Sequence, residues 1–137
     1  MSRGQVSLEL LLVILGLLAF LAVSLSALQV VSSSYAIASD RVGHELASTR
    51  LFSAIESSTT LSAGSVLRQR LFLPSNASLI LRGTSLFWNY GGGNYSVLLP
   101  RNVSGLPVNL SQGDYELVVA SGTPIGLSFV PTDTSRT

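Results

Sequence analysis

The chain has no cysteine and no lysine, and only one histidine, one methionine and one tryptophan among its 137 residues. Without cysteine there is neither a disulfide framework nor a thiolate zinc site. The redox compartment stays open, because exported chains also dispense with cysteine. Charge is scarce too: charged residues make up 11% of the chain, against ~25% in ordinary soluble domains. All eight basic residues are arginines, they form no cluster, and the formal net charge is +1. The electrostatic footprint of a nucleic-acid-binding protein is therefore missing.

Groups able to converge on a reaction are equally few. His44 lies four residues after Asp40 and beside Glu45, on a pattern that reads as helix, and positions i and i+4 share a helix face. A metal or acid–base site needs more convergent groups than this, so a solvated helix face is the plainer reading. The 23 serines contain no G-x-S-x-G arrangement, and one histidine among many serines makes no triad. Gly91-Gly92-Gly93 lacks the lysine and helix that follow a phosphate loop and lies between two strand patterns, which makes it a turn. No catalytic residue, cofactor or metal is expected.

What the chain does have is a long apolar run. From Leu8 to Val31 the only ionisable side chain is Glu9. These 24 residues, at ~1.5 Å per residue, give ~36 Å of helix, enough to cross a hydrocarbon core of ~30 Å. Three readings compete. A cleaved secretory signal peptide would use Leu10 to Val23 as its apolar core and Ser24-Leu25-Ser26 as its cleavage site, but Glu9 cancels the positive charge of Arg3 expected before that core. An uncut anchor explains the length and gives Glu9 no purpose, although a carboxylate costs ~2.5–3.5 kcal/mol near a membrane helix centre and less near its end. The third reading accounts for the glutamate. Cleavage between Gly4 and Gln5 would create a free α-amine one helical turn from Glu9. The amine of one copy could then pair with the carboxylate of the next, fixing the stagger between subunits, and register is the best-attested use of a buried ionic pair.

The stretch Gly4-Gln5-Val6-Ser7-Leu8-Glu9-Leu10-Leu11, set directly before a spanning run, resembles the processing motif of archaeal type IV pilin-like proteins with class III signal peptides. The resemblance is specific over roughly the first 30 residues and generic afterwards. It implies that a prepilin-peptidase-like enzyme cuts after Gly4, that Gln5 becomes the new N-terminus, and that Glu9 is the glutamate at mature position five. Gln5 in place of the phenylalanine usual in bacterial type IV pilins favours the archaeal branch, and Glu9 disfavours an archaellin. The implied partners are further copies of the chain in a helical homopolymer, the peptidase, an assembly ATPase and a membrane platform protein, with the precursor held in the membrane before assembly.

Beyond the run, Ser32-Ser33-Ser34 marks where the chain should leave the bilayer, with room for a bend. Apolar residues then return at helical spacing as Tyr35, Ala38, Val42, Leu46, Phe52 and Ile55, flanked by Ala47 and Leu51. Gly43 weakens this amphipathic helix by ~1 kcal/mol relative to alanine. Its end falls in the Ser57–Gly64 region. From Val66 the period changes from 3.6 to 2. Runs centred on Leu71, Leu79, Trp88, Val97, Leu117 and Leu127 are separated by turn residues, and Gly83-Thr84 suits a tight hairpin. Five to seven short strands form an antiparallel sheet or small sandwich, one face of which covers the helix stripe. The expected fold is α+β: a leader over 1–4, a membrane and polymerisation helix over 5–31, its amphipathic continuation over 32–64, a β-rich extracellular head over 65–131, and a flexible tail over 132–137.

Four of the five asparagines begin N-x-S sequons: Asn76, Asn94, Asn102 and Asn109. With 31 serines and threonines in 137 residues, four hits from five has a chance probability on the order of one in a hundred. Serine-rich loops also generate sequons by accident, so context must decide. In or beside loops of a translocated head, these asparagines would carry glycans. The expected function is a structural subunit of an archaeal surface filament, serving adhesion or attachment. A membrane-anchored surface protein that never polymerises, or an ordinary secreted protein, is the alternative.

Overall fold

A computed structural model describes residues 3–132. Met1 and Ser2 of the expected leader, and residues 133–137 of the expected tail, lie outside the described residues. The fold is α+β. One helix, α1 (Arg3–Thr60), is followed by eight strands: β1 (Val66–Leu73), β2 (Ala77–Arg82), β3 (Ser85–Tyr90), β4 (Gly93–Leu98), β5 (Val103–Ser104), β6 (Val108–Leu110), β7 (Gly113–Ala120) and β8 (Ile125–Pro131). The chain divides into two units between Ala38 and Ser39.

In the first unit α1 has almost no internal reason to stop: it holds no proline, and Leu, Ala, Val and Ile dominate. The serine triplet is helical, and the Ser33 hydroxyl donates to the Val30 carbonyl at 3.0 Å. From Val6 to Val31 the large apolar side chains are between 48% (Ile14) and 70% (Phe20) exposed. Nothing within the unit covers them. This helix is long and apolar enough to cross a membrane.

The second unit has a core of its own. Its strands form two four-stranded sheets, in the orders β1-β7-β8-β5 and β4-β3-β2-β6. All pairs are antiparallel except the two-residue pair β5–β8, which is parallel. Leu71, Leu73, Leu117, Val119, Ile125 and Leu127 from one sheet meet Leu79, Leu86, Trp88 and Leu110 from the other, together with Ala47, Leu51, Ala54 and Ile55 of α1, in one buried cluster. Strands β2, β3 and β7 alternate buried and outward residues, as a half-buried sheet requires. The expected hairpin over Gly83-Thr84 is present, pairing Arg82 with Ser85. Gly83 has φ +61° and Thr84 is not positive, the pattern of a type II′ turn.

Two expectations need correction. Among the described residues eight strands are present rather than five to seven, because β6 falls in the Gly105–Gly113 stretch that reads as a turn and the two-residue β5 lies outside every alternating run. The helix stripe also departs from the expected one in its first half, whereas Ala47, Leu51 and Ile55 are buried and Phe52 partly so, as expected. Tyr35, Ala38, Val42 and Leu46 are exposed, whereas His44, Ala47, Ser48, Leu51, Ala54, Ile55 and Ser58 are buried. Close approach selects this face. A Cβ on Gly43 would stand 2.6 Å from Pro74 Cγ, so the helix meets the β1–β2 link where only glycine fits. Small side chains follow on the same side. Ser48 and Ser58 satisfy their hydroxyls on the carbonyls of Glu45 and Ile55, at 3.0 and 2.6 Å, which makes them tolerable in a core. At the helix end the Ser121 hydroxyl reaches the carbonyls of Ser58 (2.9 Å) and Leu61 (3.2 Å), groups left without intrahelical partners.

Candidate assembly segment and modification sites

The N-terminal segment is helical from Arg3 onward, so Gln5 and Glu9 stand one turn apart on α1 and both are exposed. No side-chain hydrogen bond or ion pair engages Glu9 among the described residues. Gly4 is just as free: a Cβ added there would meet nothing within 4 Å, and its backbone φ is not positive. Packing within this chain therefore does not require glycine at position 4, in contrast to Gly43.

His44 is not on a solvated face. It is fully buried, stacked on Tyr90 (ring centroids 4.3 Å apart, planes 23° apart) and edge-on to Trp88 at 6.1 Å. The Trp88 indole N–H donates to His44 Nδ1 at 3.3 Å. An indole nitrogen can only donate, so Nδ1 must be the acceptor and the proton sits on Nε2. Nε2 lies 2.8 Å from Ser75 Oγ and 3.7 Å from Asp40 Oδ1. Burial holds the His44 pKa below its ordinary value of 6.5, while the Asp40 carboxylate pulls the other way. The imidazole is a neutral bridge between helix, β3 and the β1–β2 link. Glu45 points away, exposed, and among the described residues no group of three His, Cys, Asp or Glu side chains is placed to hold a metal.

All four sequon asparagines are exposed. Asn76 lies in the β1–β2 link, where its Oδ1 accepts the Gln112 backbone N–H at 2.9 Å and leaves Nδ2 free. Asn102 immediately precedes β5. Asn94 is the second residue of β4, beside the Gly91-Gly92 turn, and Asn109 is the middle residue of β6 rather than a loop residue. Register brings two of them into one row. Asn94 pairs with Asn89, Asn89 with Ser78, and Ser78 with Asn109, so a line of neutral polar side chains crosses the outer face of this sheet from edge to edge. Asn76 and Asn109 also line one open cleft of 720 Å³ with Ser78, Asn89 and Tyr90. The sequence pattern located the sequons and the strands but not the strand order, so it gave no sign of this row.

No protein-family model, no curated protein and no solved structure matches this chain.

Proposed function

We propose that this chain is a pilin-like structural subunit of an archaeal surface filament, cut after Gly4 and assembled through its N-terminal helix. The observation that carries the reading is the contrast within α1. From Leu8 to Val31 the helix presents apolar side chains on every side, with no cover from within its own unit and a single carboxylate near its start. Lipid can cover that surface in the precursor, and neighbouring copies can cover it in a filament. Glu9 distinguishes the two environments: lipid offers it no partner, whereas a neighbour offers the Gln5 α-amine. Free Gly4 fits the requirement of a processing enzyme for a small residue at the cut. The exposed Tyr35, Ile37, Val42 and Leu46 extend the uncovered apolar surface past the membrane run. The second unit, with its sequon asparagines glycosylated, would face solvent and serve adhesion or attachment.

The substitution Glu9→Gln tests the reading, since it keeps size and removes charge. Synthesis, membrane insertion and cleavage after Gly4 should survive. Assembly should fail, because the amine of the incoming copy is then buried without a partner at ~3–5 kcal/mol. That shifts each addition step by roughly two decades or more, at ~1.4 kcal/mol per tenfold. Processed protein should accumulate in the membrane with few or no filaments by negative-stain microscopy. Normal filament numbers would make Glu9 a passenger and favour a membrane-tethered protein that does not polymerise.

A further inference from the structure

Two four-stranded sheets that do not close into a barrel have four edge strands, here β1 and β5 in one sheet and β4 and β6 in the other. Each presents backbone N–H and C=O groups that another strand could pair with, and proteins commonly protect such edges with charge, lysine above all. This chain has no lysine, and of the four edge strands only β1 contains arginine, although the exposed Arg101 stands two residues before β5. On β1, Arg68 and Arg70 are exposed, and Arg50 Nη1 donates to the Arg70 carbonyl at 3.4 Å. The other three edges hold no charge: β4 reads Gly-Asn-Tyr-Ser-Val-Leu, β6 Val-Asn-Leu and β5 Val-Ser. Of these, β4 is the longest, six residues that end in Leu98, which is 72% exposed.

Each of the three uncharged edges carries a sequon, and the charged edge carries none. Asn94 lies within β4, Asn109 within β6, and Asn102 abuts β5. All three are exposed. The fourth sequon, Asn76, precedes β2, an interior strand flanked by β3 and β6.

We propose that Asn94, Asn102 and Asn109 carry N-linked oligosaccharides that close the uncharged sheet edges against pairing with a second copy of this chain. The proposal rests on the sequons being used, as the filament reading holds. In the modification, Asn Nδ2 bonds to C1 of a sugar supplied by an activated donor in which C1 is esterified to a phosphate. The C1–O bond breaks, its electron pair leaves with the phosphate, and the displaced amide proton passes to a base. A neighbouring strand would need to approach to ~4.8 Å, and a bulky sugar projecting from the outer face at the edge residue would collide with the side chains of a strand that close. Crowding of many copies on a surface makes the protection consequential, because edge pairing is a contact between identical chains.

The experiment uses the full chain from the cells that make it, solubilised in detergent micelles that cover the apolar helix. Glycopeptide mass spectrometry comes first. Unmodified Asn94, Asn102 and Asn109 in native material overturn the proposal together with the use of the sequons. With occupancy found, the Asn94→Gln, Asn102→Gln and Asn109→Gln triple variant is compared with the native chain by light scattering and amide hydrogen exchange. The single variant Ser96→Ala, which removes the β4 sequon while keeping Asn94, is included to separate glycan loss from side-chain change. The triple variant should associate at a roughly tenfold lower concentration, with exchange protection gained in β4, β5 and β6. Ser96→Ala should shift the same way with protection gained in β4, and Ser78→Ala, which removes only the Asn76 sequon, should match the native chain. Unchanged association, or protection gained only within α1, would overturn edge closure while leaving glycosylation itself intact.

Discussion

The two units solve the same problem in opposite ways. In the second, apolar side chains from two sheets and one helix face bury one another, and Leu51, Leu79, Leu117 and Trp88 are fully covered by their own chain. In the first, a helix richer in leucine leaves every large apolar side chain at least 48% exposed. Uncovered area of that kind is unfavourable at ~25 cal/mol per Å², so the first unit is defined by what must come to it. A single helix therefore passes from a region whose apolar side chains its own unit leaves exposed to one covered by strands, and the difference predicts where substitutions should be felt.

The largest effect should come from the covered part of α1. Leu51→Ala removes a fully buried side chain and should lower the stability of the second unit by ~2–5 kcal/mol. Trp88, the only tryptophan, reports the transition by fluorescence in a denaturant titration. Gly43→Ala should follow. Its new Cβ meets Pro74 Cγ at 2.6 Å, and ~1–3 kcal/mol of overpacking outweighs the ~1 kcal/mol gained in helix propensity. An increase in stability on that substitution would show that the helix and the β1–β2 link are not held in close contact.

A smaller effect should come from pH. The folded state holds His44 below its ordinary pKa of 6.5, so the unfolded chain binds its proton more readily. Stability is then complete above about 6.5 and is lost as pH falls from there through the lower folded-state value. Asp40 offsets part of the loss. Denaturant titrations at successive pH values should show this slope in the native chain, and His44→Gln should abolish it over the same range. The smallest effect should be that of Leu15→Ala, at a position 54% exposed. Unfolding of the second unit should change by less than ~0.5 kcal/mol. A larger change would mean that the two units are energetically joined.

The same contrast explains what could be read from sequence. The apolar run, the change of period at Val66 and the Gly83-Thr84 hairpin are local patterns, and each has its counterpart in the fold. The part of the buried helix face that the sequence pattern missed consists of polar side chains and Ala54. His44, Ser48 and Ser58 are internal only because Trp88, Ser75 and the helix's own carbonyls satisfy them. Hydrophobic periodicity instead favours Tyr35, Val42 and Leu46, which this chain leaves uncovered. Strand order was equally inaccessible, since β5 and β6 are too short to show alternation and β5 pairs in parallel with β8. Motif positions were legible, but their neighbours were not: nothing local to Asn94 and Asn109 reveals that they end one row across the same sheet.

The central claim is that the apolar helix is kept and becomes the part of the protein that other copies complete. The mass of the N-terminal peptide, taken from the chain recovered in the filament fraction of producing cells, tests it most directly. The account predicts a peptide beginning at Gln5, with Glu9 and the apolar run intact. A chain beginning near Ala27 or Leu28, or one recovered only outside filaments, would contradict it.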